Sequence, residues 1–244
     1  MALIEFQTGL GRLLRQQKSS DALHGVNLDP NEKRYFETLR ATAGFRFCAS
    51  IQRSWCIGRA AKSAYFTLSL LPYEERQALL DEWVDAGAGT SSFFDAEGES
   101  FLSFVSKRLT HPSHELSVCQ FEQATLRASN GASFYVSPDL SGLANPNRGL
   151  RQGKHAALVR LYADPSLLIE SMRTHKPLQP LSSEPLVLIF SPGLPQLCDS
   201  PSEEEVATWE ALNAPASVRT LTSRNIAPNT LERLLKQGTI EYAD

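Results

Sequence analysis

The stretch that decides the fold is LVLIFSPGLPQLCDSPSEEEVATWEALNAPASVRTLTSRNIAPNTLERLLKQGTIEYAD, residues 186–244. It opens on five apolar residues, Leu186–Phe190, which predict a strand because branched and aromatic side chains suit a pleated surface. Ser202 followed by Glu205 is a capping-box pattern that begins a helix, and Pro228 suits the first turn of a later one. The predicted order is a strand, three short helices and a final extended segment.

That order is the outline of a winged helix-turn-helix, a unit that either reads DNA or binds a peptide. A DNA reader needs cations that neutralise phosphates. Residues 202–244 instead carry seven acidic and four basic side chains, a net charge of −3, and the whole chain also has a formal net charge of −3. The charge balance therefore favours a peptide. A winged-helix transcription regulator is the alternative hypothesis.

A peptide site of this kind needs an open strand edge, which accepts an added strand, and a neighbouring helix that supplies side-chain pockets. We predict that the strand at 186–190 is the edge and that the helix after Pro228 is the wall. Most of these side chains, taken singly, are expected in the core, and the hypothesis concerns the edge of the strand. The predicted peptide-binding residues are Leu186, Val187, Leu188, Ile189, Phe190, Leu231, Arg233, Leu234 and Leu235.

The first half of the chain predicts helices. Apolar residues recur at helical spacing in five or six segments with short connections, a pattern typical of a bundle. Farther along, Ser133–Val136 and Ala156–Tyr162 predict strands. The predicted fold class is α+β: an N-terminal helical bundle in residues 1–130, then a small β-sheet with a C-terminal winged helix-turn-helix-like peptide-recognition unit in residues 131–244.

Length and composition are those of a globular protein. The chain has 244 residues, of which 42% are hydrophobic and 21% charged. No apolar run approaches the roughly 20 residues that span a bilayer. The first residues lack the basic region and the long apolar region of a signal peptide. We predict a cytoplasmic protein with no membrane or nucleic-acid partner.

The segment Trp55-Cys56-Ile57-Gly58-Arg59 is unusual for a helix. Gly58 costs a helix about 1 kcal/mol relative to alanine, which a close helix–helix approach would explain. Arg53 and Arg59 stand near Cys56, so a reactive thiol at this position is a hypothesis. The alternative for this cysteine, as for Cys48, Cys119 and Cys198, is a buried or half-buried thiol, since none of the four forms a Cys-x-x-Cys pair.

A second cluster lies on one helical face, where Glu115, Cys119 and Glu122 are spaced at i, i+4 and i+7. His111 and His114 stand at its start. Metals accept all these side chains, but a single helical row of this kind is more often a polar contact face. We therefore predict no metal site in this chain. No Ser/His/Asp order, phosphate-binding loop or dinucleotide fingerprint is present in the sequence.

The helical first half, the helix that contains SVCQFEQ (residues 117–123) and the strand-plus-three-helix C-terminus resemble the partner subunits of multinuclear non-haem iron oxidases. Those enzymes modify cysteines in ribosomally made peptides. The likeness is greatest to the partner protein of the 3-thiaglutamate pathway and more distant to that of methanobactin synthesis. It covers most of the chain as an outline.

The resemblance implies a subunit that has no cofactor of its own and is required by its partner without being catalytic. It implies that the partner is a TIM-barrel multinuclear iron oxidase, that the iron is held there, and that this chain presents a precursor or carrier peptide through a peptide-recognition element. In the 3-thiaglutamate pair, the β-carbon of a C-terminal cysteine is excised. The residues that we predict to contact the partner or the substrate are Trp55, Cys56, Arg59, His114, Glu115, Cys119 and Glu122. A metalloenzyme acting alone is a third hypothesis.

Overall fold

The fold is α+β, mostly helical with small antiparallel sheets, as the sequence predicts. The chain divides into two compact units, Met1–Arg108 and Leu109–Asp244. The computed structural model describes residues 3–15, 23–87, 94–110 and 112–243.

The first unit is built around one helix, α3. Its helices are α1 (Leu3–Arg15), α2 (Pro30–Ala41), α3 (Ala43–Ser63), α4 (Tyr65–Leu70), α5 (Tyr73–Asp85) and α6 (Phe94–Ser106). Of these, α3 contacts each of the other five. Thr42 fixes where α3 begins, because its side-chain oxygen accepts the N–H of Phe45. The helix is therefore both the longest of the unit and its organising element.

Two apolar clusters hold α3 in place. On one side, Phe45 and Ala49 pack with Leu13 and Phe36 from α1 and α2. On the other side, the core includes Trp83 of α5 and the ring of Phe101 of α6, which meet edge to face with centroids 5.3 Å apart. Burial of these rings is the main force that stabilises the bundle.

The second unit, as described over residues 109–110 and 112–243, combines helices with six short strands. In chain order it contains α7 (His114–Ala132), a 3₁₀ helix (Leu140–Ala144), β1 (Gly149–Gln152), β2 (Ala157–Leu161), α8 (Pro165–Thr174), β3 (Leu186–Phe190), β4 (Cys198–Asp199), α9 (Glu203–Ala211), β5 (Ala216–Ser217), α10 (Val218–Ser223), α11 (Pro228–Lys236) and β6 (Ile240–Tyr242).

The strands form two antiparallel sheets with separate cores. One sheet has the order β5-β1-β6 and the other β2-β3-β4. The first is covered by a cluster that includes Leu150, Leu221 and the buried leucines of α11. The second packs on α7, where the rings of Phe121 and Phe190 meet edge to face at 5.6 Å. Strands β1 and β6 are thus joined to α11, and β3 is joined to α7.

Two features differ from the sequence prediction. The division between the units falls between Arg108 and Leu109 instead of near residue 130, because α7 packs on β2 and β3. Gly131 lies in the last turn of α7, where a Cβ would come 2.6 Å from the Cβ of His155. The strand predicted at Ser133–Val136 is wrong, since that stretch is a turn followed by extended chain that pairs with no strand.

Candidate functional site

The second unit contains a cleft between β6 and an extended stretch of chain, residues 134–139, which we name the strap. The cleft has a volume of about 370 Å³. Its walls are formed by the strap, by the turn that carries His155, by Pro192, and by the chain from the end of α11 into β6. An extended peptide could enter such a space as a single strand.

Strand β6 is an edge strand whose outer side faces the cleft, and Ile240 at its start is only 1% exposed. Thr239 accepts the N–H of Gly153 at 2.8 Å, and Ala243 donates its N–H to Gly149 at 2.9 Å. Odd-numbered positions of β6 therefore point their main-chain groups at β1, and Ile240 points them outward, as does Tyr242. No strand within residues 112–243 pairs with that side.

The strap follows β6 from one end to the other. At its first end the ring of Tyr135 lies against Gly238, just before β6 begins. At its last end the carbonyl of Asp139 accepts the Tyr242 hydroxyl at 2.9 Å. The two extended stretches thus run side by side without pairing, and two tyrosine side chains cross the space between their ends.

Tyr135 is the anchor of the strap. Its ring lies between Gly193 and Gly238, where a Cβ would come within 2.7 Å and 2.6 Å of ring carbons. Its hydroxyl oxygen lies 2.9 Å from the carbonyl of Leu235 and 2.7 Å from that of Lys236, so it donates to carbonyls in the last turn of α11. Burial raises the pKa of Tyr135, which keeps the phenol in its donating form.

The rim of the cleft is apolar, and its lining also includes one carboxylate. Phe134 is 86% exposed and Val136 is 83% exposed, values that are unusual for large apolar side chains. That carboxylate, Glu241, accepts the Nε–H of Arg151 at 2.7 Å and the N–H of Lys154 at 3.1 Å. The cleft therefore offers unpaired main chain and apolar contact area, which are the requirements for binding a peptide strand.

A second open surface lies on α3 in the first unit. Phe47, Ile51 and Trp55, spaced one turn apart, are exposed, and Trp55 keeps 61% of its area in solvent. Lys62 continues the same face and is also exposed, so the face mixes apolar and basic groups. We name Phe47, Ile51, Trp55, Gly58 and Lys62 the α3 face.

Beneath this face, Arg59 binds a buried carboxylate. Glu97 of α6 is 1% exposed and accepts both the Nε–H and the Nη2–H of Arg59, the second at 2.6 Å. The hydrogen bonds that Arg59 donates to Glu97 raise the pKa of the Arg59 guanidinium above its usual value. On the same helix, Arg53 binds Asp81 and Asp85 of α5. Two arginines therefore join α3 to α5 and α6 by ion pairs.

Cys56 lies inside this ion-pair cluster. It is 1% exposed, and its Sγ is 3.9 Å from Oε1 of Glu97 and 3.7 Å from Nη2 of Arg59. A reactive thiol is expected at an accessible, electropositive position. Burial beside a carboxylate does not fit the hypothesis of reactivity and fits the alternative of a structural thiol.

The residues predicted to bind the peptide fall in different places. In β3, Ile189 and Phe190 are buried and pair with β2 on one side and β4 on the other, so the predicted edge is limited to Leu186–Leu188. In α11, Leu231, Leu234 and Leu235 are buried in the core of the other sheet. Leu235 also lines the cleft, and Arg233 binds Glu205 at 3.0 Å.

The predicted row on α7 is packed within its unit. Cys119 is fully buried, and Glu115 and Glu122 are half-buried. His114 lies with Nε2 2.7 Å from the carbonyl of Gln179, and His111 lies outside the described residues. Within the ranges that the structure describes, no three His, Cys, Asp or Glu side chains form a group that could hold a metal.

Sequence reasoning missed the strap, Tyr135 and the open side of β6. One signal was present: the final segment Gly238–Tyr242 was predicted to be extended, and an edge strand there has main-chain groups to offer. The position of the strap beside that edge was not predicted, because Phe134 and Val136 were assigned to a separate strand.

Comparison of the chain with models of protein families gave no match, and comparison with curated proteins gave none either. None of the helices within the described ranges has both the length and the apolar character needed to cross a membrane.

Proposed function

We propose that this chain is the peptide-binding subunit of a two-protein enzyme that modifies a ribosomally made peptide. The observation that carries the proposal is the cleft beside the unpaired side of β6. In this proposal the precursor peptide adds to β6 as a further strand, beneath the strap.

The geometry of β6 supports strand addition. Ile240 and Tyr242 each have one N–H and one C=O directed away from β1, which an antiparallel or parallel peptide can pair. Phe134 and Val136 give apolar area at the rim, which adds affinity that main-chain hydrogen bonds alone do not supply. The predicted edge in β3 leaves fewer main-chain groups for a peptide, because β4 already pairs with part of that strand.

The order of elements supports a winged helix-turn-helix-like class for the end of the chain. Three helices, α9, α10 and α11, are followed by β6, and β5 precedes α10. The order of strands in this sheet does not follow the order of the chain, because β1 lies between β5 and β6. We propose a winged-helix-like peptide-recognition element completed by β1.

The side chains of α11 favour a peptide over DNA. Arg233 binds Glu205 at 3.0 Å and Lys236 binds Glu232 at 2.6 Å, so two cations that a recognition helix would direct at phosphates are already neutralised. Binding to duplex DNA that weakens steeply with salt would favour the transcription-regulator alternative.

The remaining part of the proposal concerns the partner. The sequence resemblance supports a cytoplasmic heterodimer in natural product biosynthesis, in which a TIM-barrel iron oxidase holds the iron and performs the chemistry. By that resemblance the reaction is excision of the β-carbon of a C-terminal cysteine, as in 3-thiaglutamate formation. Co-expression with an iron oxidase encoded beside this chain, followed by co-purification, tests the pairing; a chain that always purifies alone contradicts it.

Peptide binding is tested with fluorescein-labelled peptides that correspond to short reading frames encoded beside the gene. We expect saturable binding by fluorescence anisotropy and slower hydrogen exchange at the amides of Ile240 and Tyr242. Phe134→Ala combined with Val136→Ser should weaken binding at least tenfold. Leu178→Ala, a similar truncation at an exposed site of the same unit, should not. Binding that ignores the cleft variant, or that leaves exchange in β6 unchanged, overturns the proposal.

A further inference from the structure

The α3 face contains a hole of the kind that receives a side chain from a facing helix. Trp55, Gly58, Arg59 and Lys62 stand at i, i+3, i+4 and i+7 along α3, which is the arrangement of the four residues around a knob in helix–helix packing. Together with Ser54 they line a cavity of about 410 Å³. No residue of another element lines it among those that the structure describes.

Gly58 leaves the middle of the hole free of side-chain atoms. A Cβ built at this position meets no atom within 4 Å, so the glycine does not make room for any neighbour in the described part of the chain. No described residue of the first unit makes the close helix–helix approach at Gly58 that the sequence predicted. A glycine that weakens its own helix and faces open space is explained if the space is filled from outside.

The charge of the face defines the partner further. The 21 residues of α3 contain four cations and no carboxylate. Lys62, at one end of the hole, is exposed and makes no ion pair with a described residue. Two other cations, Arg53 and Arg59, bind carboxylates of α5 and α6 and hold the helix in place. A carboxylate on the partner, one turn from the inserted side chain, would pair with Lys62.

We propose that the α3 face binds an amphipathic helix of the partner protein, which inserts a large apolar side chain beside Trp55 and over Gly58 and directs a carboxylate at Lys62. This inference rests on the proposed function in one respect, the existence of a partner protein. An anionic membrane is less favoured because one exposed lysine near the hole gives little attraction to a charged bilayer, where each basic residue adds only a small increment.

The test uses the full chain and a synthetic helix of 21 residues that carries leucines and a central phenylalanine on one face and glutamates at its flanks. A second peptide has lysine in place of each glutamate. We expect the glutamate peptide to bind with saturable anisotropy and the lysine peptide to bind at least tenfold more weakly. Equal affinity of the two peptides, or no binding by either, overturns the proposal.

The decisive variant is Gly58→Leu, which fills the hole and removes a helix-weakening glycine. Its matched control is Gly44→Leu, since Gly44 is also exposed on α3 and also has nothing within 4 Å of a built Cβ. We expect the glutamate peptide to bind the control as it binds the native chain and to bind Gly58→Leu at least tenfold more weakly. Unchanged binding by Gly58→Leu overturns the proposal.

Cys48 supplies an independent readout, because it is exposed and lies three and seven residues before Ile51 and Trp55. Bound helix should slow its alkylation several-fold. A dimer of this chain that Gly58→Leu abolishes would assign the face to a second copy, and sedimentation with phosphatidylserine vesicles that the same change abolishes would assign it to a membrane; either result overturns the proposal. The variant that combines Phe134→Ala with Val136→Ser separates this proposal from that of peptide binding in the cleft. It should weaken binding of the precursor peptide and leave binding of the synthetic helix unchanged.

Discussion

The ring of Tyr135 lies so close to Gly238 that a Cβ on the glycine would be 2.6 Å from ring carbon Cε2. Gly238 also has φ of +70°, a backbone conformation that other residues rarely adopt. The strap and the start of β6 are therefore joined at a point where only glycine fits. The hydroxyl of the same tyrosine donates to carbonyls in the last turn of α11. One side chain of the strap therefore contacts both α11 and the start of β6.

Gly238→Ala should destabilise the second unit by more than about 1 kcal/mol, because alanine is strained at positive φ and also collides with Tyr135. Gly25→Ala is the matched control: Gly25 has φ of +74° but nothing within 4 Å of a built Cβ. Urea unfolding of both variants separates the strain of the backbone from the collision. Equal losses of unfolding free energy in the two variants would show that the Tyr135 ring moves aside at no cost in stability.

Arg59→Ala should destabilise the first unit by about 3–5 kcal/mol, because it leaves the Glu97 carboxylate buried without its partner. Replacing both residues, as Arg59→Met with Glu97→Leu, should recover much of that loss. Glu82→Ala removes an exposed partner of Arg108 and should change stability by less than about 1 kcal/mol. Urea unfolding gives the three values, and a small loss in Arg59→Ala would mean that water reaches Glu97.

Acid should weaken the contact between α9 and the start of α11. The pKa of the Glu204 carboxyl lies below its usual 4.5 because Oε1 accepts the N–H of Ala227 at 2.8 Å, with a further hydrogen bond from Thr230. A carboxyl with a lowered pKa stabilises the fold above its unfolded pKa, and this contribution is lost as the pH falls through the folded value.

Glu204→Gln should therefore lose less stability than the native chain when the pH is lowered below about 4.5. The measurement is the urea midpoint of the second unit from neutral to acid pH, in both proteins. If the urea midpoints of the two proteins fall in parallel as the pH is lowered, Glu204 does not contribute to the loss of stability in acid.

The four thiols should differ in their rates of alkylation. Cys48 is exposed and should react first, and Cys198 should follow more slowly because burial raises the pKa of its thiol. Cys56 and Cys119 are buried and should react only when their units unfold. Mass spectrometry after brief treatment with iodoacetamide at neutral pH gives the order. Rapid labelling of Cys56 would restore the hypothesis of a reactive thiol.

Local chemistry made the helices predictable. The capping box at Ser202 and Glu205 is present with both of its hydrogen bonds, and Pro228 is in the first turn of α11, as predicted. The apolar run Leu186–Phe190 is β3 with the predicted bounds. In each case the signal lies within a few residues of the element that it specifies.

Pairing between distant segments was not predictable in the same way. Strand β1 reads Gly-Leu-Arg-Gln, without an apolar alternation, and is a strand because β5 and β6 flank it. The cleft depends on Tyr135 meeting Gly193 and Gly238, which lie far away in sequence. Single-residue patterns do not encode such contacts between distant segments. The sequence therefore predicted the α+β fold class and placed the candidate site on β3 and α11, whereas the cleft that the structure contains lies beside β6.

The pairing of β1 with β6 has a consequence for how the protein is made. Arg151 and Glu241 face each other across the two strands, 90 residues apart in the chain. On a ribosome that adds about 5–20 residues per second, β1 waits roughly 5–20 s for its neighbour to be synthesised. The helices of the first unit form from local contacts and can be complete before then. A nascent chain would thus expose the α3 face to the proposed partner well before its cleft is complete enough for the proposed peptide.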